Sequence, residues 1–418
     1  MPITRTTRRN FLLAGAGGAA LAGAGAWRWW PEQGMANPCL STLPRALAGH
    51  ELVTAAWDGI DATQVWDCHA HLAGIGDSGS GVWINPRMQS LLHPVEFAQR
   101  LFYLNAGCAQ DAPGRVDASY IERMLQLIAG MRPGCKLMLL AFDHARDQSG
   151  EATPEHSSFH IPDSYAQRTA QTHPGAFEWA ASIHPWRRDA LDALEHALRH
   201  GARAVKWLPA AMNIDPASAR CDAFYAALAR AGLPLITHGG MERAVHVGNR
   251  QSLGNPLRLR RALDHGVRVV VAHCATMGED QDIDRGANGP YVASFELFAR
   301  LMDDTRHEKL LHGDLSAVTQ INRAGPALQR ILERTDWHHR LFNGSDYPLP
   351  GIMPLYSVDH MMAMGFITAP VAKVLSAIRQ YNPLLFDFVL KRHLAYQGHR
   401  FSKGVFHTRP FFTRAAQA

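Results

Sequence analysis

The sequence predicts a closed (β/α)8 barrel, on three observations. Eight short, apolar, β-prone runs punctuate the chain: "QVWDCHAHL" (64–72), "CKLMLLAFDHA" (135–145), "FEWAASIHP" (177–185), "ARAVKWLP" (202–209), "LPLITHGG" (233–240), "VRVVVAHCA" (267–275), "LLHGDLSAVT" (310–319) and "RLFNGSDYP" (340–348). Amphipathic helical stretches lie between them, among them "RDALDALEHALRHG" and "CDAFYAALARAG", each closing on a glycine suited to the residue after a helix. Every one of the eight runs carries an ionisable side chain at its C-terminal end. Continuous apolar strands alternating with helices make a parallel sheet covered on both faces, and eight such units close into a barrel. An open doubly wound sheet would need a glycine-rich phosphate turn after its first strand. "HAHLAGIGDSGSG" is a poor version of one.

In chain order, the first segment is a leader. "TTRRNFLLAGAGGAALAGAGAW" joins the pair Arg8-Arg9 to a mild Ala/Gly/Leu run, the pattern of a twin-arginine export signal over residues 1–30. "AGA" at 24–26 offers a small-residue cleavage site. The competing reading is an uncleaved anchor with Trp27, Trp29 and Trp30 at the interface, but the apolar run is shorter than the roughly 20 residues of a spanning helix. Export implies a periplasmic protein with no stable membrane span after cleavage. The barrel occupies 31–400, with 73–134 as a cap over its mouth because that stretch is too long for a bare connection. "NPLLFDFVLKRH" reads as the closing helix, and 401–418 as a surface tail.

Of 418 residues 47% are hydrophobic and 19% charged, with a net charge of +5, a globular balance. No basic stripe interleaves with aromatic residues, which argues against nucleic acid as a partner. The six cysteines have no C-x-x-C spacing. Buried thiols are expected, with Cys68 and Cys274 facing away from the histidines beside them, and a Cys39–Cys108 bridge is left open.

Barrel chemistry gathers at the C-terminal ends of the strands. Those ends bring His69 and His71 from the first strand, Asp143 and His144 from the second, His184 from the third and Lys206 from the fourth. His238, His273, Asp314 and Asp346 follow from the fifth to the eighth. Imidazoles with one carboxylate suit Zn²⁺, and also Fe²⁺ or Mn²⁺. Three histidines and Asp346 leave a coordination position for a water, whose pKa such an ion can lower to roughly 7. Asp346 could take its proton, and His273 could hold the water or stabilise developing charge.

On "DCHAHL", "GARAVKWLP", "GLPLITHGG", "VVVAHCA", "NGSDYP" and "NPLLFDF", in this order across residues 60 to 395, the chain resembles the amidohydrolase superfamily. The similarity is to its amidohydrolase-related branch of metal-dependent hydrolases, lactonases and decarboxylases. The resemblance implies that His69, His71, His238 and Asp346 bind one metal, with His273 as the catalytic histidine and Asp346 also as general base. It implies, too, that Lys206 either is carbamylated and bridges a second ion or pairs with a carboxylate. His184, Arg243 and His144 are candidate substrate contacts, Arg243 as a clamp for a carboxylate or phosphate. Asp314 and Ser316 are expected to orient the wall by hydrogen bonds.

The expected function is metal-dependent hydrolysis of an ester, lactone or amide in a small organic substrate. The alternative is a decarboxylase or hydratase on the same scaffold. A non-catalytic metal-binding protein would require a broken catalytic position, and every expected position is filled. A homodimer accords with the resemblance.

Overall fold

The computed structural model describes residues 36–110 and 112–413. The leader reading, with Arg8 and Arg9, lies outside the described residues. No helix among the described residues is long and apolar enough to cross a membrane.

All eight expected strands form: β1 Trp66–His71, β2 Lys136–Leu140, β3 Phe177–Ala180, β4 Val205–Trp207, β5 Leu235–His238, β6 Val269–Ala272, β7 Leu311–Asp314 and β8 Leu341–Phe342. β1 to β3 pair in parallel, and β4 to β8 form a second parallel run. Two seams join these runs. At one, Ala181 bridges Val205, and the Lys206 N–H donates to Ala181 O at 2.7 Å. At the other, Ala70 bridges Tyr347, with the His71 N–H donating to Tyr347 O at 2.7 Å and the Cys68 N–H to Asn343 O at 3.1 Å. The strands thus close into a TIM barrel.

The β1–β2 ladder slips between Asp67 and Ala70, where β1 carries one residue more than its partner. Such a bulge re-aims side chains. It corrects the expectation for Cys68: the thiol packs in the barrel interior with Trp66, Met138, Ile236, Val270 and Phe342. Simple alternation would have sent it outward, but the extra residue lets Cys68 and His69 both face inward.

The stretch 73–134 divides. Helix α1, Pro94–Ala106, and the short strand Trp83–Ile84 lie over the mouth, the latter paired antiparallel with Phe159–His160. Helix α2, Val116–Ala129, belongs to the barrel's outer ring, against Pro383–His393, and is not part of a cap. Its buried Tyr120, Met124 and Leu127 join the main apolar core. A disulfide, Cys39–Cys108, ties the N-terminal segment to the end of α1, while Cys68, Cys135, Cys221 and Cys274 are buried free thiols.

Residues 401–413 are not a surface tail. Phe401, Val405, Phe406 and Phe412 are buried, the first three in the main apolar core and Phe412 in the barrel interior with Trp66, Cys68 and Phe342. Thr408 Oγ1 accepts from Trp66 N at 2.9 Å and donates to Trp66 O, pinning the start of β1.

Candidate metal centre

The bulge in β1 turns both its histidines towards the axis, so that His69 Nε2 and His71 Nε2 stand 3.2 Å apart. Asp346 arrives from the loop after β8, with Oδ1 3.0 Å from His71 Nε2 and 3.5 Å from His69 Nε2. Asp346 holds φ at +61°, a left-handed conformation that costs a non-glycine residue about 1–3 kcal/mol. Several bonds hold it there. The Asp346 N–H donates to His69 O at 2.8 Å. Asp67 Oδ1 accepts from Ser345 N at 2.8 Å and from His69 N at 3.1 Å, stapling this loop to β1. Beneath it, the Lys391 ammonium donates to Gly344 O and Asp387 Oδ2, each at 2.6 Å. A Cβ on Gly344 would come within 2.8 Å of His69 Cβ, so only glycine lets the loop approach β1 this closely.

Asp314, at the end of β7, orients the histidines. Its Oδ2 accepts from His69 Nδ1 at 2.9 Å, which leaves the Nε2 lone pair facing the cavity. Its Oδ1 accepts from the backbone N–H of His273 at 2.9 Å and of Ser316 at 3.0 Å. Burial would raise the Asp314 carboxyl, but His69, His273 and Lys206 beside it carry it far below the usual range. His273 donates from Nδ1 to Ser316 O at 2.9 Å, which leaves Nε2 as an acceptor 3.8 Å from Asp346 Oδ2. Burial first, and Arg323 second, push its pKa down to about 3, so the ring is neutral. His273, Cys274 and Ala275 all have φ near +50°, a left-handed turn that takes the chain off β6 into the site.

His69 Nε2, His71 Nε2 and Asp346 Oδ1 fit a divalent ion. A tetrahedral ion with bonds of about 2.0–2.1 Å has ligand–ligand edges of about 3.3 Å. The three edges observed are 3.2, 3.0 and 3.5 Å. His238 stands apart from this set, whose ligand atoms all lie within 4.8 Å of one another. Its Nε2 instead faces Glu242 Oε2 at 3.3 Å. Lys206 enters from β4 with Nζ 3.2 Å from His69 Nε2, and burial lowers its pKa.

These residues line a cavity of about 370 Å³ under α1, with a largely apolar wall. Arg243 lines its mouth and is exposed. Two expected substrate contacts lie outside the wall. His184 is fully buried, donating from Nε2 to Met212 O at 3.0 Å and accepting at Nδ1 from Trp186 N at 3.1 Å. His144 packs between Trp83 and His160, its Nδ1 3.3 Å from Ser157 Oγ. Neither residue lines the cavity. Asp143 is an ion-pair partner, 3.4 Å from Arg146 and 3.3 Å from Arg187.

Sequence reasoning missed Glu242 and Arg323. Glu242 was adjacent to the favoured Arg243, and Arg323 lies nine residues past Asp314, beyond the strand end.

The amidohydrolase family model matches residues 66–383. The chain belongs to the amidohydrolase family. Solved structures similar to this amidohydrolase include IDCase of Metarhizium anisopliae, at 14% identity and TM-score 0.47, covering 84% of this chain and 98% of that one. Another is 5-carboxyvanillate decarboxylase of Sphingomonas paucimobilis, at 11% identity and TM-score 0.41, covering 75% and 96%. A TIM-barrel protein of Bordetella bronchiseptica matches at 15% identity and TM-score 0.43, covering 74% and 93%. No curated protein matches this sequence.

Proposed function

We propose that this amidohydrolase is a metal-dependent hydrolase that cleaves an ester, lactone or amide in a small organic substrate. The observation that carries the reading is the convergence of His69, His71 and Asp346 on the cavity floor, with neutral His273 facing Asp346. Two imidazoles and a carboxylate at tetrahedral edges favour one Zn²⁺. That ion, when bound, supplies Lewis acidity to a carbonyl and to water.

The chain's own residues do the rest. Asp346 Oδ2 points away from the His71 contact towards His273, placed to take a proton from an attacking water. His273 Nε2 accepts a hydrogen bond and fixes where that water stands. Asp314 holds the His69 ring. The apolar wall and α1 keep bulk water out. A lyase on the same floor is the second reading, favoured by one feature: Glu242, whose pKa burial raises, is a carboxyl in the cavity wall that could serve as a proton donor to carbon.

The leader and the Cys39–Cys108 bridge support export to the periplasm, where disulfides persist.

The test is metal per chain in the purified protein, with His69→Ala and Asp346→Ala. Loss of metal and of turnover in both is expected, and full occupancy in His69→Ala sinks the assignment. A panel of esters, lactones, amides and aromatic carboxylates, with product detection, separates hydrolysis from carbon dioxide release.

A further inference from the structure

One buried positive charge in the cavity wall stands apart from the metal-centre residues. Arg323 follows β7 in the turn "SAVTQINR" and lines the cavity. Its side chain is buried, 8% exposed, yet Nε and Nη1 have no hydrogen-bond partner. It forms no ion pair among the described residues. A buried guanidinium left this way is costly, and burial accordingly lowers its pKa.

Its neighbours are committed elsewhere. Asp346 is held against His71, and Glu242 Oε1 accepts from the N–H groups of Ala244 at 2.5 Å and Val245 at 3.3 Å. Other buried arginines differ. Arg379 donates to the carbonyls of Pro350, Ile352 and Tyr356. Arg340 also has two unpartnered nitrogens, but its Nη2 donates to Met302 O at 2.9 Å and it lies outside the cavity wall. Among these, only Arg323 combines unpartnered guanidinium nitrogens with a place in the wall of the substrate-sized cavity.

Much of the remaining wall is apolar, with Leu72, Phe102, Phe142, Phe159, Met277 and Leu355 beside the polar Gln99, Arg100, Gln320 and Asn322. We propose that Arg323 is the anion anchor of the cavity, holding a substrate carboxylate by charge-assisted hydrogen bonds while an apolar or aromatic body lies along that wall. A planar guanidinium matches a carboxylate in this way. With the Asp346 and Glu242 carboxyls close by, a monoanion is accommodated better than a dianion. The inference deepens the hydrolase reading and rests on it for the identity of the reacting end. The clamp expected at Arg243 thus falls to a residue eighty positions later.

The test is calorimetric titration of the metal-loaded protein with 3-phenylpropanoate and with its neutral amide, for wild type, Arg323→Gln and Arg323→Lys. Wild type should bind the acid at least about 10-fold more tightly than the amide, as charge-assisted hydrogen bonds imply. Arg323→Gln should lose that preference while binding the amide as before, and Arg323→Lys should keep part of it. The proposal is overturned if the preference persists in Arg323→Gln, if wild type shows none, or if neither probe binds. Metal content of the same samples separates the two readings. Charge preference in a chain that takes up no metal keeps the anchor and removes the hydrolase; a metal-loaded chain without preference does the reverse.

Discussion

Lys206 Nζ stands 3.2 Å from His69 Nε2, the nitrogen that faces the ion site. An ammonium and a metal cannot share one lone pair, so Lys206 must swing away or lose its proton when an ion binds. Burial, which lowers its pKa, favours the neutral amine. With His238 facing Glu242 at 3.3 Å, we propose a centre for one ion. Elemental analysis should give one metal per chain, and Lys206→Met should retain it. Two ions in wild type, one of them lost in Lys206→Met, would establish a bridging carbamylated lysine instead.

Asp314 orients the His69 ring by the 2.9 Å bond to Nδ1, while its Oδ1 holds the His273 and Ser316 backbone. Asp314→Asn frees the ring to rotate or change tautomer. Metal affinity should fall about 10–100-fold, the usual cost of losing such a partner. Competition with a chromogenic chelator measures this, and unchanged affinity would show that ring packing suffices.

His184 makes the fold sensitive to acid. Its Nδ1 accepts from Trp186 N, a bond that a proton on Nδ1 abolishes. Burial pushes its pKa from 6.5 down to about 3. Between those values the folded state binds fewer protons than the unfolded chain. Stability is therefore full above about pH 6.5 and lost as pH falls towards 3. His144, lowered to about 4 mainly by burial, acts in the same direction. Denaturant midpoints measured from pH 7 to pH 4 should fall less steeply in His184→Gln. An identical slope would exclude His184 as a source.

The Cys39–Cys108 bridge spans 69 residues. Loop entropy alone gives such a closure up to about 4 kcal/mol. Cys39→Ser with Cys108→Ser should lower the thermal midpoint, and a reductant should do the same to wild type but not to the variant. A reductant with no effect on wild type would show that the bridge contributes nothing to stability.

Much of this was legible in the sequence, because strand ends of a parallel barrel announce themselves. Each apolar run stops where an ionisable residue begins, and all eight stops appear at one rim. The cluster of Asp346, His69 and His71 was legible this way, and Asp314 and Ser316 make hydrogen bonds in the wall. The third and second strands misled, since His184 and His144 satisfy the same rule but fold into their own loops.

What the sequence by itself determined is the barrel, its eight strands and the residue types delivered to the rim, since hydrophobic period and strand ends are local properties. Tertiary structure decided which of those residues meet. The bulge in β1 let Cys68 face inward together with His69, and a staple from Asp67 brought Asp346 to the histidines. His238 was drawn towards Glu242 and away from the cluster. Residues 401–413 became the floor of the barrel because their aromatic side chains found its open end. Arg323 became a buried cavity-wall residue with two unpartnered nitrogens. Distances between side chains on different strands depend on register and loop path, which one strand's sequence does not encode.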